Sequence, residues 1–231
     1  MDATTLRRSP RVRFRLSSRA VTVRRMRAIE THAISHYRIP RLLLMEHAGL
    51  AVCREVLRLV RTRRSRIVVC CGGGYNGGDG CVAARHLVNA GQAVTVWSLG
   101  RRSSGAPECT LQLEILERLG VRVYRRPPPP TALRNAAVIV DGLLGMGLHE
   151  DVREPYASTI RAMNVSGRPI IAVDVPSGVD ADTGRPCGVA VRARCTITFG
   201  LAKRGLLTRH AKPFVGRLIV DPIGFPTVLL R

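Results

Sequence analysis

The sequence has few aromatic residues, few acids and almost no lysine. Aromatic side chains make up 4% of the 231 residues, and they do not alternate with basic residues as a stacking platform for single-stranded nucleic acid requires. The 37 basic residues outnumber the 16 acids, which gives a formal charge of +21, and Lys203 and Lys212 are the only lysines. A basic surface attracts phosphate groups, but a genome whose base composition favours arginine codons explains the same excess. We therefore do not expect nucleic acid as a partner.

Long apolar runs and paired cysteine motifs are also missing. No run of about 18 apolar residues occurs, so neither a transmembrane helix nor a membrane partner is expected. The seven cysteines are an odd number and include no C-x-x-C pair, which argues against a disulfide framework and against a zinc ribbon. A soluble protein in a reducing compartment, most simply the cytoplasm, is the expectation.

The N-terminus has a composition of its own. Residues 1–27 contain nine arginines, three serines and a single acid, Asp2, as a mitochondrial or plastid transit segment does. A disordered basic tail or a start codon chosen too early fits equally well. We therefore assign residues 1–21 to a basic tail and residues 22–231 to one domain, since the chain is long enough for one core but not for two. A mitochondrial or plastid location is the alternative to the cytoplasm.

Alternating strand and helix patterns predict an α/β fold. Two helices, one capped by Thr22 and interrupted at Pro40 and one over residues 42–61, precede the first strand. Later helices are expected at residues 81–87, 111–119 and 155–164, and residues 127–130, all proline, read as loop. The strands are predicted at residues 67–71, 93–99, 121–124, 137–141, 169–174, 195–199 and 216–220. Strands that are apolar on both faces indicate a Rossmann-like, three-layer αβα sandwich around a mainly parallel, doubly wound sheet, with the last two strands extending one edge.

A glycine-rich stretch, GGGYNGGDG at residues 72–80, follows the first strand and leads into a helix. Glycines leave backbone N–H groups and the helix N-terminus open to a ligand. Gly72, Gly74 and Gly77 also match the G-x-G-x-x-G dinucleotide fingerprint. The expected acid about 20 residues later is absent, and Arg101, Arg102 and Ser103 stand where a 2′-phosphate would bind. An NADP-linked reductase is therefore one alternative.

Carboxylates follow the carboxyl ends of three predicted strands, in residues 74–79, 141–147 and 174–178. Ligands of open parallel sheets bind at this edge, so these segments predict one site. Asp141 and Asp174 could instead cap the turns that follow them. Carboxylates that share a cavity raise one another's pKa unless a cation lies among them. A bound cation or a protonated acid is therefore expected.

Several sequence blocks in one order resemble the YjeF N-terminal domain family, whose enzymes are NAD(P)H-hydrate epimerases. The resemblance extends over residues 22–226. The principal blocks are MRAIE at 26–30, LMEHAG at 44–49, NGGDG at 76–80, VDGLLGMGL at 140–148 and AVDVPSGVDADTG at 172–184, followed by GVAV at 188–191, TFG at 198–200, K-x-GL at 203–206 and DPIG at 221–224.

The resemblance implies repair of a damaged cofactor. The substrate is NADH or NADPH hydrated at C6 of the reduced ring, and the enzyme interconverts the R and S epimers so that a dehydratase specific for S can restore the cofactor. We expect that dehydratase as a separate protein, and a homodimer is an alternative to a monomer.

The resemblance also implies a set of site residues. Asp174 matches the catalytic carboxylate, and Asn76, Asp141 and Ser177 match ligands of a potassium ion, which is the expected cofactor. Two segments match the substrate-binding stretches of the family, namely Tyr75, Asn76, Gly77, Gly78 and Asp79 in the first and Gly145, Met146, Gly147, Leu148, His149, Glu150 and Asp151 in the second.

Three residues depart from the family pattern. Tyr75 and His47 stand where asparagines are usual, and Met146 replaces the threonine of a Gly-Thr-Gly block. Loss of that hydroxyl removes one possible hydrogen bond to the ligand, which is on the order of 0.5–1.5 kcal/mol. A catalytically weak or inactive YjeF-type scaffold that binds nucleotide or RNA is therefore the alternative function.

Overall fold

A seven-stranded parallel sheet is the centre of the computed structural model, which describes residues 20–60, 62, 64–100 and 105–231. The spatial order is β3-β2-β1-β4-β5-β6-β7, and each pair of neighbours is parallel. The strands are β1 (Arg66–Cys71), β2 (Ala93–Ser98), β3 (Arg122–Tyr124), β4 (Val138–Gly142), β5 (Ile170–Val173), β6 (Cys195–Phe199) and β7 (Arg217–Asp221).

Helices cover both faces of the sheet. They are α1 (Val23–Ser35), α2 (Arg41–Leu59), α3 (Tyr75–Asn89), α4 (Pro107–Arg118), α5 (Pro130–Arg134), α6 (Tyr156–Asn164) and α7 (Lys212–Val215), with short 3₁₀ helices at Arg204–Leu207 and Thr227–Leu230. Side chains alternate between the two faces along a strand. In β1, Val69 therefore packs with α1 to α4, whereas Val68 and Cys70 pack with α5 and α6.

The predicted fold is confirmed, and every predicted strand is present with its ends shifted by no more than one residue. Thr22 caps α1 by accepting a hydrogen bond from the Arg25 N–H at 3.1 Å. Val21, the last residue of the predicted tail, is joined to the domain, because its N–H donates to the Ala202 carbonyl at 2.9 Å and its carbonyl accepts from Arg204 N–H at 2.8 Å. Residues 1–19 of that tail, and residues 101–104 with Arg101, Arg102 and Ser103, lie outside the described residues.

Helices α3 and α4 begin several residues before their predicted starts, and helix α5 was not predicted. Pro107 and Pro130 open α4 and α5, because proline has no N–H to lose in the first turn of a helix. Residue 130 is therefore not loop. Helix α3 begins at Tyr75, so the turn after β1 is only residues 72–74, and the remaining glycines of the stretch lie within the helix.

Those helical glycines allow a close approach of backbone to backbone. A Cβ at Gly77 would lie 2.0 Å from the Gly72 carbonyl oxygen, and one at Gly78 would lie 2.5 Å from Met45 Cε. A Cβ at Gly74, by contrast, would meet no atom within 4 Å. The first turn of α3 can therefore lie against the end of β1 only with glycine at 77.

This difference predicts that alanine destabilises the fold at Gly77 but is tolerated at Gly74. Gly77→Ala should lower the free energy of unfolding by about 1–3 kcal/mol through overpacking, although alanine has the higher helix propensity by about 1 kcal/mol. Gly74→Ala should change stability by less than about 1 kcal/mol. Urea unfolding followed by circular dichroism measures both. Equal stability of the two variants would show that the close approach is not required.

Candidate active site

A cavity of about 640 Å³ opens at the carboxyl ends of the central strands. Strands β1 and β4 are neighbours, and the chain winds away from them in opposite directions, so this is the switch point where open α/β sheets bind ligands. The cavity walls come from α1, α2, the turn after β1, the loop after β4 and the segments that follow β6 and β7. The predicted segments 74–79 and 141–147 therefore both contribute residues to this cavity.

The N-terminus of α3 forms one wall. Gly73, Gly74, Tyr75 and Asn76 line the cavity, and no side chain caps the helix at Gly74. The first N–H groups of the helix have no partners within it and carry partial positive charge, so they suit a phosphate. Of the predicted substrate-binding residues 75–79, Tyr75, Asn76 and Asp79 line the cavity, whereas Gly77 and Gly78 are buried against protein.

Asp174 lies just after β5 in the left-handed backbone region, with φ of 61°. Its Oδ1 accepts hydrogen bonds from Lys203 Nζ at 2.5 Å, from Thr198 Oγ1 at 3.1 Å and from Phe199 N–H at 3.2 Å. No described residue donates to Oδ2. One oxygen is thus saturated by the protein, and the other accepts no hydrogen bond from the described residues. Asp174 is buried and is not itself among the residues that line the cavity, whereas its partners Phe199 and Lys203 are.

Lys203 was not identified as a site residue from the sequence. Its side chain is only 1% exposed, and it lies on the cavity wall. Besides Asp174, its ammonium donates to Thr198 Oγ1 at 3.1 Å and to the Phe199 carbonyl at 3.0 Å, so all three N–H bonds are used. A buried charge needs such complete pairing. Two signals were available in the sequence, namely its place at the start of the K-x-GL block and its being one of two lysines in an arginine-rich chain.

The cavity also holds a carboxyl group whose charge is disfavoured. Asp79 lines the wall, and burial raises its pKa well above the usual range, an effect reinforced by the charges of Asp174 and Glu30. Burial likewise raises the pKa of Glu30, although the neighbouring Arg41 opposes it. Clustered carboxylates therefore favour a protonated acid at Asp79, beside the Lys203 cation.

Asp141, Ser177 and Asn76 form a connected group behind the cavity wall. Asp141 is completely buried and accepts from Ser177 Oγ at 2.6 Å and from Ser177 N–H at 2.8 Å. The Ser177 hydroxyl accepts from Leu144 N–H at 2.8 Å, and Asn76 Nδ2 donates to the Leu144 carbonyl at 3.0 Å. Burial raises the pKa of Asp141 to about 6 in spite of the bonds from Ser177.

Two features of this group fit a bound cation. Asn76 Oδ1 is buried and accepts no hydrogen bond from any residue that the structure describes. The groups that shift the pKa of Asp141 include no basic side chain, so its negative charge has no compensating cation nearby among the described residues. Amide and carboxylate oxygens are the donors that hard cations prefer. The residues present therefore fit a potassium ion, although the Ser177 hydroxyl is already engaged.

The loop after β4 is divided between cavity and surface. Gly145, Met146, Gly147 and Leu148 line the cavity. The other three predicted residues do not line it: His149 Nδ1 lies 3.1 Å from Asp180 Oδ2, Glu150 pairs with Arg153 at 2.6 Å, and Asp151 lies beside Gly188.

The three residues that depart from the family pattern lie in different surroundings, and Tyr75 is at the rim of the cavity. The Tyr75 ring is stacked under the Arg41 guanidinium, 4.2 Å from the ring centroid, and Arg41 also pairs with Glu30 and, at 3.7 Å, with Glu108. The Met146 side chain is partly buried against the core, and His47 is exposed outside the cavity.

Comparisons with known proteins identify the family. Residues 41–205 match the family described as YjeF-related protein N-terminus. The chain is 49% identical over 193 residues to the bifunctional NAD(P)H-hydrate repair enzyme Nnr of Pyrobaculum aerophilum, with 81% of this chain and 38% of that protein aligned. It is 38% identical over 210 residues to the NAD(P)H-hydrate epimerase of Limosilactobacillus fermentum, with 90% of this chain and 99% of that protein aligned.

A solved structure has the same fold. The crystal structure of yeast ynu0 superposes with a TM-score of 0.74 at 25% identity, over 81% of this chain and 82% of the yeast chain. The chain thus spans about two fifths of a bifunctional relative and nearly all of a relative named as an epimerase alone. The match over residues 41–205, together with these relatives, shows that the chain belongs to the family of YjeF-related N-terminal domains.

Proposed function

We propose that this chain is an isomerase that interconverts the R and S epimers of hydrated NADH and NADPH, and so takes part in nicotinamide nucleotide repair. The single observation that carries the proposal is Asp174, whose Oδ1 is saturated by protein donors while Oδ2 has no described partner. Relatives named NAD(P)H-hydrate epimerase support it.

The reaction needs an acid for the leaving hydroxyl and a base for the entering water. The hydroxyl at C6 leaves the ring as water after it receives a proton, and the ring becomes an iminium cation. Water then adds to the opposite face and gives up a proton. The Asp174–Lys203 pair supplies the first proton and takes back the second, so the pair is unchanged overall. The Asp174 carboxylate also stabilises the cation between the two steps.

Other residues bind and orient the substrate in this proposal. The N-terminus of α3 at Gly74 receives a phosphate, and the protonated Asp79 donates a hydrogen bond. Tyr75, Asn76 and the loop 145–148 surround the remainder of the ligand. Gly77, Gly78, His149, Glu150 and Asp151 act indirectly, through the packing of α3 and the conformation of the loop.

Asn76, Asp141 and Ser177 would hold a potassium ion. The ion would supply a fixed positive charge that keeps Asp141 ionised at neutral pH. In this chain Asp141 fixes Ser177 through two hydrogen bonds, and Ser177 fixes the Leu144 backbone next to the cavity. Asp141 and Ser177, two of the proposed potassium ligands, thus position the start of the loop 145–148.

A dehydratase specific for the S epimer is the proposed pathway partner. Relatives named bifunctional repair enzymes support the coupling of two activities, and the epimerase of Limosilactobacillus fermentum, aligned over 99% of its length, supports an epimerase without the second activity. We propose a separate dehydratase and a cytoplasmic location, the latter because a reducing compartment suits free cysteines such as those described here. No helix among the described residues is both long and apolar enough to cross a membrane.

Replacement of the catalytic carboxylate tests the reaction. Asp174→Asn should lower the rate of R-to-S exchange by about 100- to 10,000-fold, as expected for loss of a positioned acid and base. Glu117→Gln, which removes an exposed carboxylate paired with Arg125, should leave the rate unchanged. Chromatographic separation of the two hydrates measures both. A wild-type rate equal to spontaneous exchange would instead favour the catalytically inactive scaffold.

Stability as a function of pH tests the potassium site without turnover. The folded-state pKa of Asp141, about 6, is raised above its usual value of 3.8. The contribution of Asp141 to the free energy of unfolding is therefore present at low pH and is lost between about pH 4 and pH 6. The loss is on the order of 3 kcal/mol in potassium-free buffer. The Asp141→Asn variant should lack this part of the slope.

Potassium should oppose that loss because it binds the ionised carboxylate. At pH 7, potassium chloride should stabilise the protein by about 1.4 kcal/mol at tenfold the dissociation constant, while choline chloride at the same ionic strength should not. The effect should shrink at pH 4.5 and disappear in Asn76→Ala. Identical thermal unfolding of the wild type in both salts at pH 7 would exclude the site.

A further inference from the structure

Among the described residues, three basic side chains line the cavity, and two of them are neutralised by acids. Arg41 is paired with Glu30 and Glu108, and the Lys203 ammonium is paired with Asp174. Because these charges are already compensated, neither side chain provides a full positive charge for a ligand. The third is Arg27.

Arg27 differs from the other two in its surroundings. It lies on α1, exposed at the cavity wall, and no described residue forms a hydrogen bond or an ion pair with it. Its Nη2 atom lies 3.3 Å from the point where a side chain at Gly147 would begin. Its charge does reach the Glu30 carboxyl, whose pKa it helps to lower after Arg41 and Lys203. The guanidinium thus lies beside Gly147, and no described residue accepts a hydrogen bond from it.

We propose that Arg27 binds a phosphate group of the dinucleotide substrate, as a second anion contact on a different element from the α3 N-terminus. This inference rests on the proposed function. A hydrated dinucleotide carries a pyrophosphate and, in NADPH, a 2′-phosphate, whereas the helix N-terminus offers only partial charges at one point. A guanidinium matches phosphate oxygens with two parallel hydrogen bonds. The pyrophosphate and the 2′-phosphate share this chemistry.

Gly147 is part of the same arrangement. A Cβ there would stand 3.3 Å from Arg27 Nη2, which is a tight contact, so any side chain would displace the guanidinium or fill the space in front of it. Glycine at 147 therefore leaves the donors of Arg27 accessible from the cavity.

The experiment measures binding of NADP⁺ and NAD⁺ to the full chain by calorimetry, because these molecules carry the phosphates but do not react. Arg27→Gln should weaken binding by about 10-fold, the loss expected for one charge-assisted contact. Arg27→Lys should recover part of the affinity. The control is Arg24→Gln, which removes an exposed charge one turn earlier on α1 and outside the cavity, and it should stay within about twofold of wild type.

The two ligands separate the two phosphate sources. Equal weakening of NADP⁺ and NAD⁺ would assign Arg27 to the pyrophosphate, and weakening of NADP⁺ alone would assign it to the 2′-phosphate. Unchanged affinity for both, or an equal effect of Arg24→Gln, would overturn the proposal, as would a wild-type chain that binds neither ligand. If the chain binds NADP⁺ and NAD⁺ but does not exchange the hydrates, the proposed reaction is refuted. The Arg27 variants still test the phosphate contact in that case.

In steady-state kinetics with the hydrates, the same variant should raise KM by about 10-fold and change kcat by less than about twofold, since a phosphate contact is made equally in ground and transition states. A fall in kcat with KM unchanged would contradict a binding role.

Discussion

The buried ion pair between Lys203 and Asp174 is the interaction on which the rest of the site depends. An ammonium taken out of water is tolerated only when each of its donors has a partner, and here the partners come from Asp174, Thr198 and Phe199. These residues belong to the ends of β5 and β6. The segment that carries Lys203 is in turn held by the backbone of Val21. The pair thus joins two strand ends to the N-terminal segment and fixes the orientation of the carboxylate that we propose as catalytic.

The register of the sheet places the turn after β1 and the loop after β4 at the same edge. Cys71 of β1 lies opposite Gly142 of β4, and the Gly72 N–H continues the ladder with a 3.0 Å bond to the Gly142 carbonyl. The turn after β1 therefore lies beside the loop after β4. Its approach is so close that a Cβ at Gly72 would fall 2.0 Å from the Leu143 carbonyl oxygen. The glycines of this motif serve packing at some positions and ligand access at others.

The sequence was sufficient for the fold and for two of the chain segments that line the cavity. Strands that are buried on both faces have a clear apolar pattern, so the order of the strands along the chain and their ends could be predicted. The helix starts at Tyr75, Pro107 and Pro130 could not, because glycine and proline were read as loop, whereas tertiary packing and the first-turn tolerance for proline place them in helices.

Contacts between distant residues were the other gap. Lys203 pairs with Asp174, 29 positions away in the sequence, and no periodic pattern of residues predicts such a pair. The uncompensated charge of Arg27 is visible only once the partners of Arg41 and Lys203 are known. By contrast, Asp141 and Asp174 could be found because aspartate and glycine together at a strand end have a local signature.

A double-mutant cycle tests the central claim most directly. Rates of hydrate exchange would be measured for Asp174→Asn, Lys203→Met and the double variant, with unfolding in urea followed in parallel. If the pair acts as a unit, the double variant should be no slower than the slower single variant, and less destabilised than the sum of the two, because neither charge is then left buried alone. Multiplicative losses of rate and additive losses of stability would contradict the account.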